Sequence, residues 1–442
     1  MRKKSTLGLM LLLSALLTFV AACGTNSTTT LAPQATAPTG ENIYVLDGYT
    51  PLGSTGIGQH IVAFHAGSAN PTALISLPAG LTSLDHQRLY TATAQNGRTT
   101  ISVVNTLNGK IIRSFVIAGT YSTAGQGYDA SVLSLSGQWL ALRDTSQTVD
   151  TTTIALVDTQ AGKLVKTIHL NGNFTLDAIS PGGKGIYLLE KLNDAPGHYY
   201  VRAYLVDQNA LLDTPLVDKT NLNVNGDPNM TGSALTRQML NDGTYAYTLY
   251  IDPLRNIAFV HILPLSDQVS TPFAHCVDLP VGKDVNLLRY YTLALSSDGR
   301  TLYAANGALG VVSSIDVHNT GPDIFDDKIQ NTVHFNPGNA SISSSDKTRS
   351  LYNGAVLSPD QKTMYFAGMH GIWAVNTSDL SVQAHYLAQQ TLTGVALSAD
   401  GQTLYAVDPT NGITLLNAAT GQAQQVIQQP ARTPWGIEWI TN

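Results

Sequence analysis

From residue 42 onward the chain is a succession of short apolar runs broken by Gly, Asp, Asn and Pro. Three stretches share one pattern: Leu293-Ala294-Leu295-Ser296-Ser297-Asp298-Gly299-Arg300-Thr301-Leu302-Tyr303, Ala355-Val356-Leu357-Ser358-Pro359-Asp360-Gln361-Lys362-Thr363-Met364-Tyr365, and Val395-Ala396-Leu397-Ser398-Ala399-Asp400-Gly401-Gln402-Thr403-Leu404-Tyr405. Each reads as an apolar strand, a Ser-x-Asp-(Gly/Gln) turn and a second strand with an aromatic at a fixed place. Asp-Gly between two apolar runs is a hairpin signal, because Gly supplies the positive φ that the turn needs. A third strand follows each, over 311–317, 371–376 and 412–417. The acids of these turns therefore predict structure rather than chemistry.

Weaker copies fill the rest, centred on Asp85, Ser136, Pro181 and Asp242. Turn to turn, from Asp85 to Asp400, the steps are 51, 45, 61, 56, 62 and 40 residues. Periods of this size, with four short strands each, predict an all-β fold of the β-propeller type. The chain ends close the ring. Residues 42–47 read as a second strand, 60–66 as a third and 73–77 as a fourth, with no first strand before them. Residues 435–440 read as a first strand with nothing after it. Joined, they make one composite blade; with the seven internal copies this predicts eight blades. Seven is the alternative if the divergent stretch 190–290 hides a miscount.

The three strong copies resemble the YVTN repeat of bacterial surface and envelope propellers, within the wider WD40-like superfamily. The resemblance spans 42–442, and it implies a ring of sheets outside the cytoplasm. No Trp-Asp dipeptide occurs, so a true WD40 repeat is not supported.

Composition agrees. Of 30 acids only three are Glu (Glu41, Glu190 and Glu438), and there are 38 Gly and 19 Pro. A chain so poor in Glu and rich in Asp disfavours helix. The net charge of −6 argues against a nucleic-acid partner.

The N-terminus reads separately. Arg2, Lys3 and Lys4 precede an uncharged apolar run over 7–22, short for a membrane span. The run ends Val20-Ala21-Ala22-Cys23-Gly24, which resembles the lipobox of bacterial lipoproteins. The resemblance implies a signal peptide over 1–22, removed in the mature chain, and a lipid on Cys23. It also implies attachment to a membrane of the cell envelope, on its extracytoplasmic side. Losing 1–22 removes three basic groups and no acid, so the charge moves from −6 to −9 and attachment rests on the lipid alone. Residues 23–41, rich in Thr, Ala and Pro, read as a flexible tether. With Cys23 lipidated, Cys276 is left without a disulfide partner.

The repeat also sorts the connections by face. Turns between first and second strands are short. The second-to-third turns and the links between blades hold long insertions: 119–129, 143–152, 191–199, 214–232 and 337–353. Tyr121, Tyr128, Tyr199, Tyr200, Tyr290, Tyr291 and Tyr352 gather there, which makes this loop-rich face the candidate binding surface. Sites for chemistry are poor. No His-x-His or Cys-x-x-Cys spacing points to a metal, and no Gly-x-Ser-x-Gly elbow to a nucleophile. Asp323, Asp326 and Asp327 read as a solvated acidic loop. No cofactor is expected. The preferred reading is a non-catalytic binding or scaffold module for an envelope protein or polymer, held by aromatic and hydroxyl contacts. The alternative is a propeller enzyme, a lactonase-like hydrolase before a quinoprotein dehydrogenase. Such an enzyme uses acids in the central channel, and with three Glu only Asp is expected to supply them.

Overall fold

A computed structural model describes residues 40–48, 60–123, 130–146, 150–193, 197–218, 230–268, 273–317, 327–338, 351–428, 430–431 and 433–441. The chain divides into two compact units between Thr36 and Ala37, and every described residue belongs to the second. Cys23, the proposed tether up to Thr39, Tyr128, Asp323 and Asp326 lie outside the described residues.

The second unit is an eight-bladed β-propeller: eight four-stranded antiparallel sheets, two of them carrying an extra short strand, of which Val217–Asp218 runs parallel to its neighbour. Blades 1 to 7 cover 81–118, 131–171, 174–211, 233–278, 291–334, 355–386 and 394–427. Blade 8 is composite, with Pro434–Thr441 as its inner strand, followed outward by Asn42–Asp47, His60–His65 and Ile75–Pro78. Asn42 pairs with Thr441 and Ile43 with Ile440, so the two ends of the chain share one ladder. The seven-blade alternative does not hold, because the divergent stretch 190–290 supplies one ordinary blade and parts of its neighbour.

Eight clusters of buried apolar side chains lie one at each junction between neighbouring blades. The core is thus a ring of interfaces rather than a central plug. The repeat aromatic explains why it recurs. Tyr365 of blade 6 donates to the Ala418 carbonyl of blade 7 (3.3 Å), and the Tyr187 hydroxyl of blade 3 accepts from the Ser266 amide of blade 4 (2.8 Å). Tyr405 of blade 7 donates to Glu41 Oε2 (2.6 Å), at the start of blade 8. Each fastens one blade to the next, and burial pushes Tyr187 up to about 12.

The Ser-x-Asp turns close on themselves. Asp298 accepts from the Ser296 hydroxyl (2.7 Å) and the Arg300 amide (3.1 Å), while Ser296 Oγ accepts the Thr301 amide (2.9 Å). Asp360 and Asp400 repeat this set. The degenerate turn of blade 3, Ser180-Pro181-Gly182-Gly183, has no Asp of its own. Asp267 of blade 4 enters instead, accepting from Ser180 Oγ (2.6 Å) and the Gly182 amide (3.0 Å).

Candidate functional site

At the loop-rich end of the central channel lies a cavity of about 660 Å³. Its walls come from the inner strands of several blades: Ser131 of blade 2, Thr175 to Asp177 of blade 3, Ser233 to Leu235 of blade 4 and Glu438 of blade 8. All inner strands run away from the loop-rich face, so their first residues ring its mouth. The rim adds Lys191, Asn193 and His198 from the second-to-third connection of blade 3. Leu351 and Tyr352, which lead into blade 6, also line it.

Two walls differ in charge logic. On one, Asp177 is paired with Arg237 of blade 4; their side chains are 2% and 5% exposed. Arg237 also donates to Thr248 Oγ1 (2.7 Å) and to the Asp177 carbonyl. A buried guanidinium and carboxylate in contact neutralise each other, and removing one would strand the other. The pair occupies one carboxylate oxygen. Asp177 Oδ2 is buried with no hydrogen-bond partner among the described residues, and so is Thr175 Oγ1. Asp177 stands at a shift in the ladder register between Leu176 and Ala178.

On the other wall, Glu438 accepts a hydrogen bond from Tyr352 Oη (2.7 Å). No cation lies against it among the described residues. Burial raises its carboxyl above the ordinary carboxylate range, and the Tyr352 hydrogen bond only partly offsets that. Blades 4 and 8 stand opposite each other in an eight-blade ring, so the Glu438 wall faces the wall that Ser233 to Leu235 supply. Glu438 also corrects the expectation that only Asp could supply channel acids.

Tyr352 is held firmly. Its amide donates to the Thr393 carbonyl (2.7 Å), and Asn353 Nδ2 donates to the Ile437 carbonyl (2.9 Å). Residues 352–353 therefore reach past blade 7 to blade 8. Gly436 makes room for this: a Cβ there would meet the Tyr352 ring at 2.5 Å.

The structure divides the tyrosines singled out from the sequence. Tyr199 and Tyr352 come together in the cavity, joined by Tyr250, whose ring lies 5.8 Å from that of Tyr199. Burial drives the Tyr199 hydroxyl well above its usual range. Tyr121, Tyr290 and Tyr291 are 2%, 1% and 1% exposed and pack inside the ring, with Tyr291 donating to the Pro280 carbonyl (2.5 Å). Tyr200 is half-buried. An exposed aromatic surface is therefore not what the described tyrosines build. Apolar faces of this size pack wherever a blade junction can cover them. Asp327 departs from the solvated-loop reading as well: its side chain is 2% exposed and faces His275 (3.5 Å).

Asp177, Arg237 and Glu438 were not singled out from the sequence. The available signal is an acid inside an apolar inner strand, Phe174-Thr175-Leu176-Asp177-Ala178-Ile179 and Trp435-Gly436-Ile437-Glu438-Trp439. Among the described residues no group of three His, Cys, Asp or Glu side chains could hold a metal ion. No described helix is long and apolar enough to cross a membrane.

No family model matches the chain, and no curated protein sequence is similar to it. Among solved structures, apo AztD from Citrobacter koseri is 10% identical, with a TM-score of 0.49, covering 90% of this chain and 97% of its own. Dihydro-heme d1 dehydrogenase NirN is 13% identical, with a TM-score of 0.49 and coverage of 90% and 75%. The periplasmic gluconolactonase PpgL of Pseudomonas aeruginosa is 13% identical, with a TM-score of 0.43 and coverage of 80% and 98%. Likeness at this level brings no ligand or activity to this chain.

Proposed function

We propose that this protein is a non-catalytic binding module of the bacterial cell envelope, tethered by a lipid on Cys23 and taking its ligand in the channel-mouth cavity. One observation carries the reading of the site. Tyr352 and Glu438 line the cavity half-buried, and the Glu438 carboxyl accepts one hydrogen bond there, from Tyr352 Oη (2.7 Å), which leaves it capacity for a ligand. The cavity also lies within the ordinary size range of ligand pockets. The ligand is a small envelope component or the end of an envelope polymer.

The test uses one blocked variant and one control. Ser233→Trp places an indole on an exposed position of the cavity lining, and Gln402→Trp does the same on a Ser-x-Asp turn. Native mass spectrometry after incubation with low-molecular-weight envelope extract should show a bound mass on wild type and Gln402→Trp, and none on Ser233→Trp. Equal capture by all three would exclude the cavity. For the tether, Cys23→Ala should move the protein out of the membrane fraction; unchanged fractionation would exclude the lipid.

A second reading has one observation behind it. Glu438 is held toward its neutral form in the cavity that also contains the ion-paired Asp177. A protonated and an ionised carboxyl in one cavity can serve as acid and base. Hydrolysis of δ-gluconolactone by the purified protein, lost in Glu438→Gln, would replace the binding reading with a hydrolase.

A further inference from the structure

We infer that the turn-end edge of blades 8, 1 and 2 is a membrane-docking surface, which lays the domain against an anionic lipid bilayer and leaves the cavity mouth at the opposite end open. The inference rests on the lipid tether proposed above and is independent of what the cavity binds.

Exposed apolar surface is the first argument. Twelve large apolar side chains are exposed among the described residues, and eight of them lie on these three consecutive blades. Leu74 stands just before the outer strand of blade 8. Leu107, Ile111 and Ile112 lie where the chain turns into the outer strand of blade 1, and Leu164 and Val165 begin that of blade 2. Leu107 is 68% exposed and Ile111 61%. All six sit where the outer strands leave the turns, away from the loop-rich end. The three blades meet there. A Cβ on Gly109 of blade 1 would lie 2.6 Å from Ile75 Cδ1 of blade 8, and Arg113 of blade 1 donates to the Gln160 carbonyl of blade 2. Large apolar side chains gathered in one exposed place mark an interaction surface.

Charge says what covers it. The outer strands with the connections leading to them, 66–78, 107–118 and 159–171, hold Lys110, Arg113, Lys163 and Lys166 and no acid. Lys110, Arg113 and Lys163 are exposed. The matching stretches of blades 3, 4, 5 and 6 carry Asp207, Asp267, Asp327 and Asp379. A chain of net charge −6 therefore keeps one basic edge. Aliphatic side chains flanked by Lys and Arg are the composition by which a protein surface binds an anionic bilayer. A second copy of the chain would set the same positive charges against each other. Net charge alone leaves attachment to the lipid; the placement of the charges adds this edge.

The position of the tether is the third argument. Asn42–Asp47 runs antiparallel to the inner strand beside it, so it enters blade 8 from the turn end. The Ala66 amide donates to the Glu41 carbonyl (3.0 Å), which brings the end of the tether beside the connection that carries Leu74. Seventeen residues run from Cys23 to Thr39, and a flexible chain of that length spans about 20–25 Å. A lipid on Cys23 would hold this edge near the bilayer at an effective concentration in the millimolar range. The edge is then a second signal beside the acyl chains, too weak to retain the protein once Cys23→Ala removes them.

The test is hydrogen–deuterium exchange of the full-length protein with vesicles at millimolar lipid, phosphatidylcholine alone against an equal mixture with phosphatidylglycerol. Peptides covering 107–116 and 163–166 should exchange more slowly on the anionic vesicles than on the neutral ones, and high salt should abolish the difference. Lys110→Gln/Lys163→Gln changes two exposed positions and should raise the anionic lipid needed for half the protection about 30-fold. Equal exchange on the two kinds of vesicle, or protection confined to peptides at the cavity mouth, would overturn the docking surface. The tether is scored separately by the intact mass of the same sample. A Cys23 without lipid refutes the anchor, while millimolar lipid keeps the exchange over 107–116 and 163–166 a test of the edge.

Discussion

The two ends of the propeller treat their acids in opposite ways. At the turn end, Asp85, Asp298 and Asp360 each accept from a neighbouring serine and a following amide, and those donors hold their carboxyls below the ordinary range. At the loop end, Glu438 sits above that range because it is buried with a single phenol for company. The turn acids are satisfied by their own chain, so nothing is left for a ligand. Glu438 accepts one hydrogen bond, from Tyr352, and lines the cavity. The Ser-x-Asp turns of blades 5, 6 and 7 are self-sufficient.

The largest effect should come from breaking closure. Deleting 434–442 removes the inner strand of blade 8, with Trp435, Ile437 and Trp439 from the core, and bares the edge of Asn42–Asp47. Loss of a cooperative thermal transition is expected; unchanged unfolding would contradict the ring order.

Next comes the buried pair. Arg237→Met should cost about 3–5 kcal/mol in urea unfolding, because it strands the Asp177 carboxylate. The double variant Arg237→Met/Asp177→Leu should recover much of that. Equal losses in both would show that packing, not charge, sets the cost.

The acids then give opposite pH slopes. Glu438 has a raised value in the folded state, so its contribution to stability is present at low pH and is lost as pH rises through that value. Asp298 has a lowered value, so its contribution is present above the ordinary carboxylate range and is lost as pH falls through the folded value. Glu438→Gln should therefore remove a fall in stability that sets in as pH rises above the ordinary carboxylate range, and Asp298→Asn one that sets in as pH drops below it. Because water competes at the exposed turn, Asp298→Ala should cost no more than about 1 kcal/mol.

The smallest effect concerns two departures from the repeat. Five turns place Gly at positive φ (Gly137, Gly183, Gly243, Gly299 and Gly401), but the same place holds His86 at φ 53° and Gln361 at φ 60°. Both reach a neighbouring blade: His86 stacks on Trp439 at 5.2 Å, and Gln361 Oε1 accepts the Ser297 amide (2.9 Å). Gln361→Gly relieves about 1 kcal/mol of backbone strain and loses a bond of similar worth. A melting temperature within a degree or two of wild type is expected, and a large change either way would show that one term dominates.

Fold and site were unequally legible in the sequence. Repeats of Ser-x-Asp-Gly and the split first and last strands carry the blade count, because each is local and the ring only adds them together. The site is not local. Asp177, Arg237 and Glu438 lie on three different blades; Asp177 and Glu438 are each a single acid inside an inner strand, and Arg237 stands between Thr236 and Gln238. Glu438 could stand out only by rarity, as one of three Glu in the chain. Tyrosines misled for a related reason: Tyr121 and Tyr291 occur next to long loops, yet the blade junctions bury them. Proximity to a loop in sequence says which face a residue is near, not which way it turns.

Hydrogen–deuterium exchange with and without low-molecular-weight envelope extract tests the central contrast most directly. The account predicts slowed exchange in peptides covering 173–177, 233–237 and 351–353, with no change over the turns at 296–300 and 398–402. Protection confined to those turns, with the cavity peptides unaltered, would contradict it.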